Sequence, residues 1–312
     1  MYSGKGYRSN YAWSGASSRP NYRSRRGHAR RNTRRRNLIL AGVILILILL
    51  AVPFVSPLFI TVDRVNLVSE QLPSDIGRMR IVYVTDIHWG YFFDDGRLYS
   101  LVNQINDLKP DLVLFGGDYA TDNASAIQFF KKLPSIHRRY AMLGVIGDTD
   151  RGENPADLTL LTDTMRNAEV TPLVNNVVLV RLGNSSIYVA GADDYKTGKP
   201  DLTSMAAQVS SEDYVILLAH NPSVIPDAQG AADRSGRLGW FDLGLFGHTH
   251  GGQIAGLSGL LDIAGEVEGR YQQGWIQENR VDMLISNGVG TSVIPARLFC
   301  PAQIHCIDVS RP

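Results

Sequence analysis

The residues best suited to chemistry are three aspartates and four histidines, each placed where an apolar run stops. Residues 81–90 read I-V-Y-V-T-D-I-H-W-G, a β-branched strand ending in Asp86 and His88. Leu112–Phe115 runs into Gly116-Gly117-Asp118, and Tyr140–Ile146 into Gly147-Asp148-Thr149-Asp150. Tyr214–Leu218 delivers His220-Asn221-Pro222, and Leu243–Phe246 delivers Gly247-His248-Thr249-His250-Gly251-Gly252. An open α/β sheet puts its chemistry at such strand mouths. One histidine is usually a satisfied core residue. Four of the chain's 7, at loop mouths with no apolar helix face to host them, are not explained that way. Mixed carboxylate and imidazole donors suit Mn, Fe, Co, Ni or Zn and disfavour Ca or Mg, which prefer all-oxygen shells. The donors Asp86, His88, Asp118, Asp148, His220, His248 and His250 exceed what one ion takes, which points to two divalent transition-metal ions sharing a carboxylate. The turn between His248 and His250 can splay one imidazole onto each ion. Glycines 116, 117, 247, 251 and 252 let backbone approach ions or an anionic ligand closely. The zincin H-E-x-x-H, the Cys-rich finger spacing, the Rossmann G-x-G-x-x-G and the P-loop are absent.

The elements that must hold these groups alternate in type. Helical spacing covers Gly96–Leu108, with Leu98, Leu101, Val102, Ile105 and Leu108 on one side, then Ala124–Leu133 and Pro155–Asn167. Further strands are expected at Val177–Leu182, Ile187–Ala190, Met283–Ile285 and Ile304–Val309. Helices early and short strands late predict an α/β fold of two sheets with helices outside. No period repeats and no internal boundary divides the block, so residues 80–309 are expected to form one domain.

The net charge of +1 hides an asymmetry. Residues 1–37 hold 11 Lys/Arg and no acid, whereas 20 Lys/Arg face 30 Asp/Glu from residue 38 onward. The tail of Gly, Ser, Asn, Tyr and Arg has almost nothing to bury and is expected to be disordered. Residues 38–60 carry no charge, match the roughly 20 residues that cross the hydrocarbon, and predict a single transmembrane helix. Pro53 and Pro57 fall in its last third. Arg30, Arg31, Arg34, Arg35 and Arg36 abut this run, favouring anionic headgroups of the lipid bilayer over nucleic acid as the tail's partner. They also predict a cell-membrane protein with a cytoplasmic N-terminus and an extracytoplasmic catalytic domain. Residues 61–79 read as a connector with room for one strand. Cys300 and Cys306 are expected to be small buried hydrophobes rather than a disulfide.

The ordered blocks Asp86-Ile87-His88, Gly117-Asp118, Gly147-Asp148-Thr149-Asp150, His220-Asn221-Pro222 and Gly247-His248-Thr249-His250 resemble those of the calcineurin-like metallophosphoesterases. Within that family they resemble a membrane-associated branch that includes enzymes cleaving phosphodiesters and the pyrophosphate of UDP-diacylglucosamine. Gly288-Val289-Gly290-Thr291-Ser292, with Pro295, Arg297 and Pro301, looks like the same branch. The resemblance implies a four-layer αββα sandwich with two ions at the strand mouths. Asp86, His88 and His250 would hold one ion, His220, His248 and Asp148 the other, and Asp118 would bridge them. It further implies in-line attack on phosphorus by a hydroxide between the ions. The substrate would be a phosphate-containing small molecule or lipid headgroup. Arg297 would be either an auxiliary phosphate contact or a surface arginine.

The third block departs from the family pattern twice. Asp148 stands where the family has Asn, and Thr149 where it has the His that assists the transition state or leaving group. With Asp148, two divalent ions, three carboxylates and a hydroxide sum to zero; with Asn the site would be +1. Thr149 can donate a hydrogen bond but cannot replace an imidazole as general acid. Asp150 is a candidate substitute acid if the neighbouring carboxylates raise its pKa. The main expectation is a dinuclear metal-dependent hydrolase of phosphodiester or pyrophosphate bonds. The alternative is a family member that keeps the metals with little turnover.

Overall fold

The computed structural model describes residues 23–90, 92–253, 269–292 and 294–312 (backbone only for 23–32), with the isolated positions Gly4, Gly6, Asn10 and Gly15. The chain divides into two units, residues 1–50 and 51–312. Most of residues 1–22 lies outside the described residues, and the expectation of disorder there with it. From residue 23 the backbone is helical, and α1 runs Arg23–Val55. Arginine is a good helix former, and lengthening an existing helix needs only propagation, not a new nucleus. Pro53 lies in its last turn, and a 3₁₀ turn follows at Ser56–Leu58. The most apolar 18-residue stretch within Thr33–Leu58 has a mean hydropathy of 3.2 and is not buried, so the segment is long and apolar enough to cross a membrane.

The rest of the chain builds two sheets. β1 (Thr61–Val68) is the strand for which the connector had room. It is followed by β2 (Arg78–Val84), α2 (Asp95–Asp107), β3 (Leu112–Phe115), α3 (Asn123–Lys132), β4 (Ala141–Val145), α4 (Pro155–Asn167) and β5 (Thr171–Leu173). Then come β6 (Asn176–Leu182), β7 (Ser185–Gly191), α5 (Leu202–Ala206), β8 (Val215–Ala219), α6 (Ile225–Gly230), β9 (Leu243–Phe246), β10 (Gly274–Glu278), β11 (Val281–Ile285) and β12 (Gln303–Ser310). One sheet has the order β1-β12-β2-β3-β4-β5 and the other β10-β11-β9-β8-β7-β6. β2 to β5 run parallel, as do β7, β8, β9 and β11, so the chemistry-bearing ends of each set point the same way.

Strand alternation explains the layers. Ile81, Tyr83, Leu112, Leu114, Leu143 and Val145 face Ile187, Val189, Ile216, Leu218, Leu243 and Leu245 between the sheets. The intervening residues Val82, Val84, Val113 and Phe115 turn outward onto Leu98, Leu101 and Ile105 of α2 and onto Ile127 and Phe130 of α3. On the other side Val215, Leu217 and Phe246 pack with Met205 of α5 and Ile225 and Ala228 of α6. Strands buried on both faces need continuous apolar runs, which is why β3, β8 and β9 carry no polar side chain. The outcome is the α/β sandwich of two sheets between helices that was expected. Asp94 caps α2 by accepting the Arg97 N–H, and Asp122 caps α3 through the Ser125 N–H. Cys300 and Cys306 are both buried.

Candidate metal centre

Each candidate ligand leaves the carboxyl end of a parallel strand: Asp86 and His88 after β2, Asp118 after β3, Asp148 after β4, His220 after β8, His248 and His250 after β9. The loops are forced to turn sharply there. Asp86, His88, Asp118, His248 and His250 all have positive φ, between 46° and 69°. Non-glycine residues adopt that region at a cost, and such strain gathers at functional sites. Close loop approach needs glycine: a Cβ on Gly117, itself at φ 91°, would sit 2.6 Å from the Gly147 backbone nitrogen.

Two clusters result. Donor atoms of Asp86, His88 and His250 lie within 4.8 Å of one another, as do those of Asp148, His220 and His248. His88 Nε2 is 3.0 Å from His250 Nε2, and His248 Nδ1 is 3.2 Å from His220 Nε2. Asp118 reaches both sets, with one oxygen 3.4 Å from His88 Nε2 and the other 3.5 Å from His220 Nε2. The donors are buried except Asp148, which is half-buried at the mouth.

The donor set fits divalent ions on an observation of tautomer. His220 Nδ1 lies 2.8 Å from the Gly116 carbonyl, which can only accept, so Nδ1 carries the proton and the Nε2 lone pair points inward. That lone pair meets Asp148 Oδ1 at 3.2 Å and the Asp118 carboxylate, an arrangement that needs a cation between them. Burial disfavours charge on His220, yet the Asp118 and Asp148 carboxylates hold its proton affinity well above the usual histidine range. A divalent ion is the larger cation the same lone pair accepts. Supporting groups orient the ligands: the Thr85 hydroxyl donates to Asp86 Oδ2 at 2.8 Å, and the His248 N–H donates to Asp86 Oδ1 at 3.0 Å.

A family model described as calcineurin-like phosphoesterase matches residues 79–252, more than half of the chain. The chain belongs to that family. It is 26% identical over 257 residues to the metallophosphoesterase YkuE of Bacillus subtilis, covering 80% of this chain and 86% of that one. It is 27% identical over 255 residues to the metallophosphoesterase Cj0846 of Campylobacter jejuni, covering 79% of this chain and 63% of that one. It is 26% identical over 239 residues to the phosphodiesterase YaeI of Escherichia coli, covering 74% of this chain and 82% of that one.

Three residues singled out from the sequence, Asp150, Arg297 and Thr149, turn inward in the structure. Asp150 is fully buried, and its oxygens accept the backbone N–H groups of Asp118, Tyr119 and Gly147 at 2.8–2.9 Å. Burial first, then the Asp118 charge, push its carboxyl up to about 8, but it ties two loops together and presents no face to a substrate. Arg297 is also fully buried. Its guanidinium donates to the carbonyls of Gly290 and Cys300 and lies 3.3 Å from His250 Nδ1, so it braces the ligand loop and reaches no solvent. Thr149 turns inward: its N–H donates to Asp118 Oδ1 at 3.1 Å, and its hydroxyl lies 3.0 Å from that oxygen and 2.8 Å from the Ala120 carbonyl. It supports the shared carboxylate and is not aimed at a leaving group. Sequence reasoning missed Lys196, whose ammonium stands 3.7 Å from Asp148 Oδ2. Its signal was available, because β7 is another strand that ends in a polar turn, Asp193-Asp194-Tyr195-Lys196.

Proposed function

We propose that the protein is a membrane-anchored, metal-dependent phosphoesterase acting on a phosphodiester or pyrophosphate bond. The observation that supports it most is the joining by Asp118 of two three-residue donor clusters, where strands of both sheets end. When bound, two divalent ions there supply an activated water and neutralise charge that builds on phosphoryl oxygens. Asp86, His88 and His250 would hold one, and Asp148, His220 and His248 the other. The chain's own part is to fix the His220 tautomer through the Gly116 carbonyl, so that Nε2 faces the cluster, and to leave Asp148 at an open mouth. The name of the relative YaeI, a phosphodiesterase, supports the diester reading. The apolar stretch of α1 supports the anchor, and a phosphate ester or lipid headgroup is the substrate class that suits it.

Full chain in detergent, incubated with Mn²⁺ or Zn²⁺, should carry about two ions by elemental analysis and should hydrolyse bis(p-nitrophenyl) phosphate. His250→Ala should lose at least one ion and the activity. One ion or none in the parent would end the dinuclear reading. A second reading, metal retention with little turnover, is favoured by the absence of an acid in the third block, since Thr149 and Asp150 are both committed inward. Two bound ions with no hydrolysis of any aryl diester would establish it.

A further inference from the structure

Among the described residues, the lysine or arginine ion-paired with a carboxylate of either cluster is Lys196. Asp148 divides its two oxygens. Oδ1 faces His220 and His248 at 3.2 and 3.4 Å, while Oδ2 faces the Lys196 ammonium. An asparagine there would turn an amide against the ammonium, or give up the oxygen that faces the histidines. Asp148 and Lys196 are therefore complementary, and the departure from the family's asparagine is matched by a cation that the third block does not itself contain.

The loop that carries Lys196 is built to hold it. Asp194 Oδ2 accepts the N–H of Lys196 at 2.9 Å and the N–H of Thr197 at 2.7 Å. Asp193 accepts the N–H groups of Asp194 and Lys199, each at 2.9 Å, and donates its own N–H to Asn175. The same carboxylate pairs with Arg151, the residue after Asp150, so the loop after β7 is fastened to the loop after β4. Yet the Lys196 side chain remains 39% exposed. A pair that open adds little to folding stability. A fixed backbone under a charge facing the mouth of a cluster is how a site prepares for an incoming anion.

We infer that Lys196 is a substrate-contacting cation: held by Asp148 beside the second cluster, its ammonium receives the anionic phosphoryl group. The inference rests on the phosphoesterase reading and extends it. It restores to the mouth the positive charge that Asp148 removes. It supplies charge and not a proton, so it offsets the electrostatic share of what is missing at Thr149 and leaves the acid's share unfilled.

The test uses full chain in detergent, loaded with Mn²⁺, as parent, Lys196→Met, Lys196→Arg, Asp148→Asn and the Lys196→Met/Asp148→Asn double variant. Metal content, inorganic phosphate binding by calorimetry and kcat/KM over a series of aryl phosphodiesters are measured for each. Lys196→Met should keep its metals and weaken phosphate binding about 10-fold. It should lower kcat/KM by a similar factor for every leaving group, shifting the profile without tilting it. Lys196→Arg should recover most of the loss, and Asp148→Asn should not rescue Lys196→Met. Phosphate binding within about twofold of parent in Lys196→Met would overturn the inference, and so would its loss of metal. Rescue by Asp148→Asn would overturn it too, because Lys196 would then act only by neutralising Asp148. A parent that binds phosphate but hydrolyses nothing would defeat the phosphoesterase reading while the phosphate arm still decides Lys196. A parent that binds no phosphate would defeat both.

Discussion

Thr149 is hydrogen-bonded inward through both its polar groups, so no imidazole or free hydroxyl of the third block is aimed at a departing oxygen. Charge on that oxygen is then unrelieved in the transition state, and rate should fall steeply as the pKa of the leaving group rises. A positioned acid is worth ~10²–10⁴ in rate. We expect Thr149→His to flatten the slope of log(kcat/KM) against leaving-group pKa in an aryl phosphodiester series, helping the poorest leaving groups most. A parent profile that is already flat would refute the missing-acid account. The clustering of the donor residues was legible in the sequence, because a polar group placed right after a buried strand has only the mouth of the sandwich to occupy. Asp150 and Arg297 were not, because spacing does not say which side of a loop a side chain faces. Both are drawn into the protein by backbone N–H groups or carbonyls that the sequence does not locate. Lys196 was hidden for the opposite reason: its partner Asp148 lies 48 positions away in sequence and meets it only because β4 and β7 deliver their loops to the same edge.

At the scale of elements, β12 is the piece that seats the rest. It runs antiparallel to β2 and parallel to β1, so the chain's last strand lies between the strand after α1 and the strand that delivers Asp86. Arg80 and Asp308 are direct partners in the β2–β12 register, and the guanidinium forks across the carboxylate at 2.8 and 3.0 Å. That hydrogen bonding holds the Asp308 carboxyl below its usual value. A depressed carboxyl contributes stability that is present above its unfolded value, about 3.9 for Asp, and is lost as pH falls through the folded value. Asp308→Asn should therefore lower the thermal midpoint of metal-stripped chain at pH 7, and the gap from parent should close on acidification toward about pH 3. A gap that stays constant with pH would mean the ion pair contributes nothing. The long periodic elements were legible: the spacing over 96–108 predicts α2 almost to the residue, because four buried side chains recur at helical intervals. The three-residue β5 and the short helices α5 and α6 were not, since an element of three to six residues carries too few turns of any period.

For the whole molecule, the question with the largest functional consequence is which side of a membrane the metal centre occupies. Thr33–Leu58 is long and apolar enough to cross once, and a single crossing would put the N-terminal tail and everything after residue 60 on opposite sides. The arginines at 30, 31, 34, 35 and 36 directly precede the apolar run, and an excess of Lys/Arg beside a span keeps that flank cytoplasmic. The domain beyond the span is, by contrast, rich in acid, and acidic residues do little to set orientation. We therefore predict an extracytoplasmic metal centre. An alkaline phosphatase fused after Pro312 should be active in cells, and a cytoplasmic reporter at the same position should not. Changing Arg30, Arg31, Arg34, Arg35 and Arg36 to Asn should weaken that bias and give a mixed population, which a merely structural role for the arginines would not do. The outcome bears on substrate. Outside, the site meets lipid headgroups and envelope phosphates but not a pool of activated nucleotides, so the diester reading gains over a nucleotide-linked pyrophosphate. An active cytoplasmic reporter with a silent phosphatase would reverse the orientation and with it that preference.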